Sequence, residues 1–261
     1  MYHNVSKIQD IILSGFSDLQ QFRGLLFMVF LFIYLFIVFG NGLIALLVLL
    51  EPSLQFPMYS FIGTLSCIEI CCTAVTIPKM LSDLLVEKRT SFSGCLLQAY
   101  FLHVLVVAEC YVLTIMAYDR YLAICKPLRY SAIMTTACSD IRLLKMVESS
   151  LSSVIMVNFV CVLLSYIKVV IDILKIKSEV GRQKAFSTCG AHLMVVVLFF
   201  GSIGFMYIRI GKSYSADYNR AVGLTYAVFV PLANPVIYGL RNQEIKKSFK
   251  KLFSCSHFKL N

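Results

Sequence analysis

The sequence predicts an all-α membrane protein with six recognisable spans. Three observations carry that reading. The 261-residue chain is 59% hydrophobic and only 15% charged, whereas soluble domains hold roughly 45–50% apolar residues. Its apolar residues gather into six blocks of about the length that crosses a bilayer as a helix, at 25–50, 58–81, 96–118, 149–167, 185–208 and 221–240. Its lysines and arginines gather between the blocks, where they act as topology signals.

Residues 1–24 precede the first block and read as an extracellular N-terminus. They lack the apolar core and small-residue cleavage site of a signal peptide, so the first span is expected to serve as an uncleaved anchor. Asn4-Val5-Ser6 fits the N-glycosylation acceptor pattern. Residues 25–240 form the bundle, and residues 241–261 a cytoplasmic tail. The net charge of +10 raises nucleic acid as a partner, but the cations form no continuous aromatic-laced patch, so that class is set aside. Most of the cysteines lie inside apolar blocks, where they pack as small hydrophobes rather than as a disulfide scaffold. No Walker loop, nucleophile elbow or spaced set of metal ligands is present, so the sequence points away from an enzyme.

The spans do not alternate consistently. Arg120, Lys126 and Arg129 put the end of the third block inside. Counting onward, the fourth block ends outside and carries the basic run Lys168 to Lys184 to the wrong face. One crossing is missing between Tyr118 and Ser149. The uncharged stretch there, "YSAIMTTACS", would span about 15 Å as a helix, against about 30 Å of hydrocarbon.

Ordered motifs point to a family. "GN" at Gly40-Asn41, "PMY" from Pro57, "LSCIEI" from Leu65, "PKML" from Pro78, "MAYDRYLAICKPLRY" from Met116, "SY" at Ser165-Tyr166, "KAFSTC" from Lys184 and "NPVIYGLRN" from Asn234 occur in sequence. From about Leu13 to Phe249 the chain resembles a vertebrate odorant receptor of the rhodopsin-like G-protein-coupled class. That resemblance implies a seven-transmembrane receptor bundle, here with only six recognisable spans. It implies a plasma-membrane location, a small apolar odorant as ligand and a stimulatory heterotrimeric G protein as partner. It also locates the missing crossing: Thr136 runs straight into Ala137-Cys138-Ser139-Asp140, so the fourth span and most of the second extracellular loop look deleted. A truncated receptor that does not signal is the alternative, and a small ion channel a remote one.

The resemblance assigns a G-protein switch to Asp119, Arg120 and Tyr121, with Tyr166, Asn234, Pro235 and Tyr238 taking part in the rearrangement. Ala233, Gly239 and Phe200 depart from the usual family pattern. A ligand site is implied at Leu102, His103, Val106 and Val107 on the third span and Ile203 and Tyr207 on the sixth. Cys95 implies a disulfide whose usual partner is deleted, with Cys138 as the substitute, and Cys255 resembles a palmitoylation site. Read from position alone, Glu69 and Glu109 each lie about 15–18 Å deep. An ionisable residue at that depth is by default functional. The two acids either share a proton or hold a small cation such as sodium, or each is simply hydrogen-bonded within the bundle.

Overall fold

A computed structural model describes residues 10–11, 21–85, 90–126, 151–207 and 216–258. Six long helices cross the fold: α1 (Arg23–Leu50), α2 (Pro57–Leu85), α3 (Phe92–Cys125), α4 (Leu151–Leu174), α5 (Glu179–Tyr207) and α6 (Ala216–Arg241). A seventh, α7 (Gln243–Phe258), follows at the tail. A two-residue bridge, absent from the sequence expectation, pairs β1 (Asp10–Ile11) antiparallel with β2 (Thr90–Ser91). Asn4, Cys138 and the seam from Tyr130 to Lys145 lie outside the described residues.

Burial is inverted relative to a water-soluble protein. Phe32, Phe39 and Leu49 are at least 70% exposed, while Asn41, Glu69, Glu109, Asp119, His192 and Asn234 are buried. Lipid accommodates the apolar surface, and polar groups turn inward because hydrocarbon offers them no partners. Helices α1 to α4 carry apolar stretches long enough to cross a membrane. Shorter apolar runs, Cys189–Gly204 and Ala227–Gly239, lie on α5 and α6.

The helices extend past the apolar blocks. The third block ends at 118, but α3 continues to Cys125 and is 34 residues long, about 51 Å. Charges set the end of an apolar block, whereas a helix ends only where its backbone turns away. At α1 that point is Glu51, which takes an extended conformation (φ −94°, ψ 114°) because Pro52 follows it.

Contacts fix how the helices run. Each packs on the next, α1 closes the ring against α6, and α2–α6 and α3–α5 contacts cross the interior. Gln98 Nε2 donates to the Val75 carbonyl at 2.8 Å, and Glu109, later on α3, meets Glu69, earlier on α2, so α2 and α3 are antiparallel. Between α3 and α4, Thr114 donates to Asn158 Oδ1 at 3.2 Å. Farther along both helices, Tyr121 and Ile124 pack against the cluster of Val169, Ile173 and Cys189, and Cys125 meets Asp172. These two neighbours therefore run in the same direction. Helix α5 turns back, with Phe159 on Phe200 and Tyr166 on His192.

This parallel pair changes the topology. Thr114 stands level with Asn158, so the start of α4 is level with about Val107, a climb of about 27 Å from Cys125. Arg120, the α4–α5 connector and α7 consequently gather at one end of the bundle. Simple alternation from the sequence separates them because it counts α3 and α4 as antiparallel.

Proline interrupts the backbone ladder where α1 meets α6. Pro235 has no N–H, which frees the carbonyl of Pro231. Asn41 Nδ2 donates to that carbonyl at 3.1 Å and to its own Ile37 carbonyl at 3.1 Å. The approach needs Gly40, where a Cβ would stand 3.0 Å from Pro235 Cβ.

Two outcomes follow. Asn41→Ala is expected to destabilise the protein by about 1–2 kcal/mol, the scale of a lost interior hydrogen bond, and Gly40→Val more than Gly40→Ala; thermal unfolding in detergent measures both. A C-terminal epitope tag is expected to become antibody-accessible only after permeabilisation, and surface labelling of intact cells would overturn the parallel arrangement.

Candidate functional site

Helix α3 links three levels of the bundle. From Leu102 to Glu109 and on to Arg120 it rises about 27 Å as one uninterrupted helix.

At the middle level, Glu69 of α2 and Glu109 of α3 are each 1% exposed. Their carboxyl groups are in hydrogen-bond contact, and Asn234 Nδ2 donates to Glu69 Oε1. The antiparallel α2–α3 packing brings these acids together across 40 residues of sequence. Asn234 comes from α6 beside the Pro235 kink.

Beside the acids lies a narrow cleft of about 10 Å³, room for about one water molecule, lined by Glu69, Cys72, Thr76, Leu102, Glu109, Ala227, Val230 and Pro231. Of the residues that the resemblance assigned to the ligand, Leu102 alone lines it. Val107 and Ile203 are buried, and Val106 packs on the core cluster that contains Ile203. Tyr207 is the last residue of α5. His103 is half-buried, and its Nε2 has no hydrogen-bond partner among the described residues. The cleft opens between α2, α3 and α6. Helical periodicity places Leu102 and Glu109 on one face of α3, seven residues apart, and turns His103 and Val107 away.

At the lower level, Arg120 Nη2 lies 2.9 Å from Asp119 Oδ2, with Asp119 fully buried. Tyr166 hydrogen-bonds His192 Nδ1 across α4 and α5. Tyr238 is 1% exposed, and its hydroxyl has no hydrogen-bond partner among the described residues. Tyr121 packs beside Val169 and Ile173, with Lys126 Nζ 5.8 Å from its ring centre, within cation–π range. This places a buried ion pair, a bonded tyrosine–histidine pair and an unsatisfied hydroxyl at one end. Such groups can exchange partners when helices shift.

Cys95 is half-buried in the first turn of α3 and is paired with no other described cysteine. Among the described residues no group of three or more His, Cys, Asp and Glu is placed to hold a metal. Sequence reasoning missed Asn158 and Thr114, which join the parallel helices. The available signal was an asparagine within an apolar span, since buried polar groups there need partners.

The fold and its buried polar column define a multi-pass, helical membrane receptor bundle. The sequence profile described as "Olfactory receptor" matches residues 30–160 and 134–256. The chain is 41% identical over 299 residues to olfactory receptor 6N1 of Homo sapiens, covering 95% of this chain and 96% of that one. It is 39% identical over 300 residues to human olfactory receptor 6K3, covering 96% and 91%, and 35% identical over 308 residues to olfactory receptor 8G50 of Mus musculus, covering 98% and 99%. The chain belongs to the olfactory receptor family, a family of signalling receptors and not of enzymes. In the first alignment, 95% of 261 residues is about 248, so about 50 of the 299 aligned positions have no residue of this chain opposite them.

Tyr166→Phe and His192→Ala each remove the same bond. Their combined effect on thermal stability is expected to fall short of the sum of the two by about 1 kcal/mol; strict additivity in the double-mutant cycle would show that the bond contributes nothing.

Proposed function

We propose that this odorant receptor binds a small, volatile, mostly apolar ligand in the half of the bundle away from Arg120. Binding is coupled to a stimulatory heterotrimeric G protein at the Arg120 end, at the plasma membrane. One observation carries the reading: the buried Asp119–Arg120 pair sits on the same unbroken helix as Leu102 and Glu109, beside the Tyr166–His192 bond. A ligand that favours one arrangement of α3 against α5 and α6 shifts the population of the other end without a separate relay. Arg120 then leaves Asp119, and the hydroxyls of Tyr166 and Tyr238 become its new partners, while Pro235 provides the bend in α6. Tyr121 completes the inner face.

Leu102, His103, Val106, Val107, Ile203 and Tyr207 remain the proposed odorant contacts, with the unpartnered His103 Nε2 as the polar anchor. Glu69 and Glu109 share a proton or hold a sodium ion, and so set the balance between resting and active states. Asn4 carries the glycan, and Cys95 bonds Cys138. Arg120→Ala is expected to abolish the odorant-evoked cAMP rise in transfected cells at unchanged surface level, and a preserved response would remove Arg120 from the switch.

A second reading concerns how much of this activity the shortened chain keeps. About 50 positions of the first relative face no residue here, and α3 and α4 run parallel, which is the arrangement left when one antiparallel crossing between them is lost. A bundle without that crossing is retained inside the cell. Inserting the missing segment of olfactory receptor 6N1 after Thr136 is expected to raise surface biotinylation several-fold; equal surface levels with and without the insert would refute retention.

A further inference from the structure

We infer that the outer face of α2 and α3 is a docking surface for one transmembrane helix of a second chain, namely the crossing that olfactory receptor 6N1 carries and this chain lacks. The inference rests on the receptor reading above and names a partner for the shortened chain. Three independent observations carry it.

The first is the outer row of α2. Ser60, Thr64, Cys67, Cys71, Ala74 and Pro78 are exposed and recur at alternating steps of four and three residues, so they form one row along the helix. Other outer faces of the bundle are bulky: α1 presents Leu25, Phe32, Phe39 and Leu49, and α4 presents Leu164 and Ile167. Bulky apolar side chains suit lipid tails, whereas small residues let a second backbone approach closely, which is how helices associate within a membrane. Thr64 returns its hydroxyl to the Ser60 carbonyl at 3.0 Å, so it asks no hydrogen bond of an apolar neighbour.

The second is the register of α3 beside that row. Leu97, Phe101 and Val104 are 40–57% exposed and share one face by helical periodicity. Gln98 and Glu109 turn toward α2, and Thr114 and Cys125 turn toward α4. The exposed face lies between those two contact faces, so α3 is covered on two sides and open on a third. With the row on α2 it makes a surface of two helices.

The third is the place of the loss. About 50 positions of olfactory receptor 6N1 face no residue here, and one crossing needs about 20. The olfactory receptor profile matches the chain in two pieces, 30–160 and 134–256, so the break falls at the connection from α3 to α4. These helices run parallel. A helix lost between them runs antiparallel to both and stands beside α3, on its open side.

The test co-expresses the full chain with the missing segment of olfactory receptor 6N1 as a separate, tagged polypeptide. Capture is read from total solubilised membranes, together with oxidative crosslinking of the exposed Cys67 and Cys71 to cysteines introduced along that segment, so retention inside the cell does not mask the result. The segment is expected to be captured and to crosslink at positions one helical turn apart, while the first span of olfactory receptor 6N1, expressed in the same way, is not captured. Ala74→Leu suits lipid but blocks close approach, and is expected to lower capture about tenfold, within the range of overpacking one contact. Leu49→Ala on the outer face of α1 should leave capture unchanged. Absence of capture and crosslinks would overturn the proposal, as would equal capture of the two spans or indifference to Ala74→Leu. So would capture of a differently tagged second copy of this chain that Ala74→Leu abolishes, since the face would then be self-associating. Capture in cells that show no odorant-evoked cAMP rise would leave the docking surface standing and count only against signalling.

Discussion

A polar group in this bundle can find a partner only within protein, because the surrounding hydrocarbon offers none. The clearest instance is the carbonyl of Pro231. Pro235 removes the N–H that would have satisfied it, and the amide of Asn41, 190 residues away in sequence, takes that place. The bond needs α1 and α6 in close contact, and Gly40 permits the approach. A kink in one helix thus fixes the position of another. Asn234, on the adjacent turn, reaches Glu69, and Glu69 reaches Glu109. From one unpaired carbonyl the constraint passes through α1, α6, α2 and α3.

The same constraint orders the rest of the interior. Thr114 and Asn158 hold α3 to α4, Tyr166 and His192 hold α4 to α5, and Asp119 holds Arg120. The first two bonds join different helices at different depths, so together they fix relative heights as well as adjacency. Apolar contact between smooth helical faces would leave those heights loosely set, since lipid competes on equal terms for apolar surface. A polar network of this kind is also where a bundle can be bistable, because each group can only exchange one interior partner for another.

Much of this was legible in the sequence. The six apolar blocks gave the six helices, and polar residues within them marked the interior. The depth argument put Glu69 and Glu109 at one level, and the structure joins them. The failure of simple alternation already marked a discontinuity after Tyr118. Other features were not legible for physical reasons. Helix ends ran past the apolar blocks because the backbone continues through charged residues until a proline or turn stops it. The cleft lies between α2, α3 and α6, since its walls depend on which faces of three distant segments converge. Of its lining, Glu69, Leu102 and Glu109 were anticipated.

By itself the sequence determined the solvent, the number of recognisable spans and the family. Composition and ordered motifs are local properties, and a bilayer reads them directly. Only the tertiary structure decided that α3 and α4 run parallel, that Asn41 caps the carbonyl freed by Pro235, and that Tyr166 meets His192. Each of these depends on the relative height and rotation of helices far apart in the chain. No periodicity within one helix encodes that relation; it is set where buried polar groups of different helices meet.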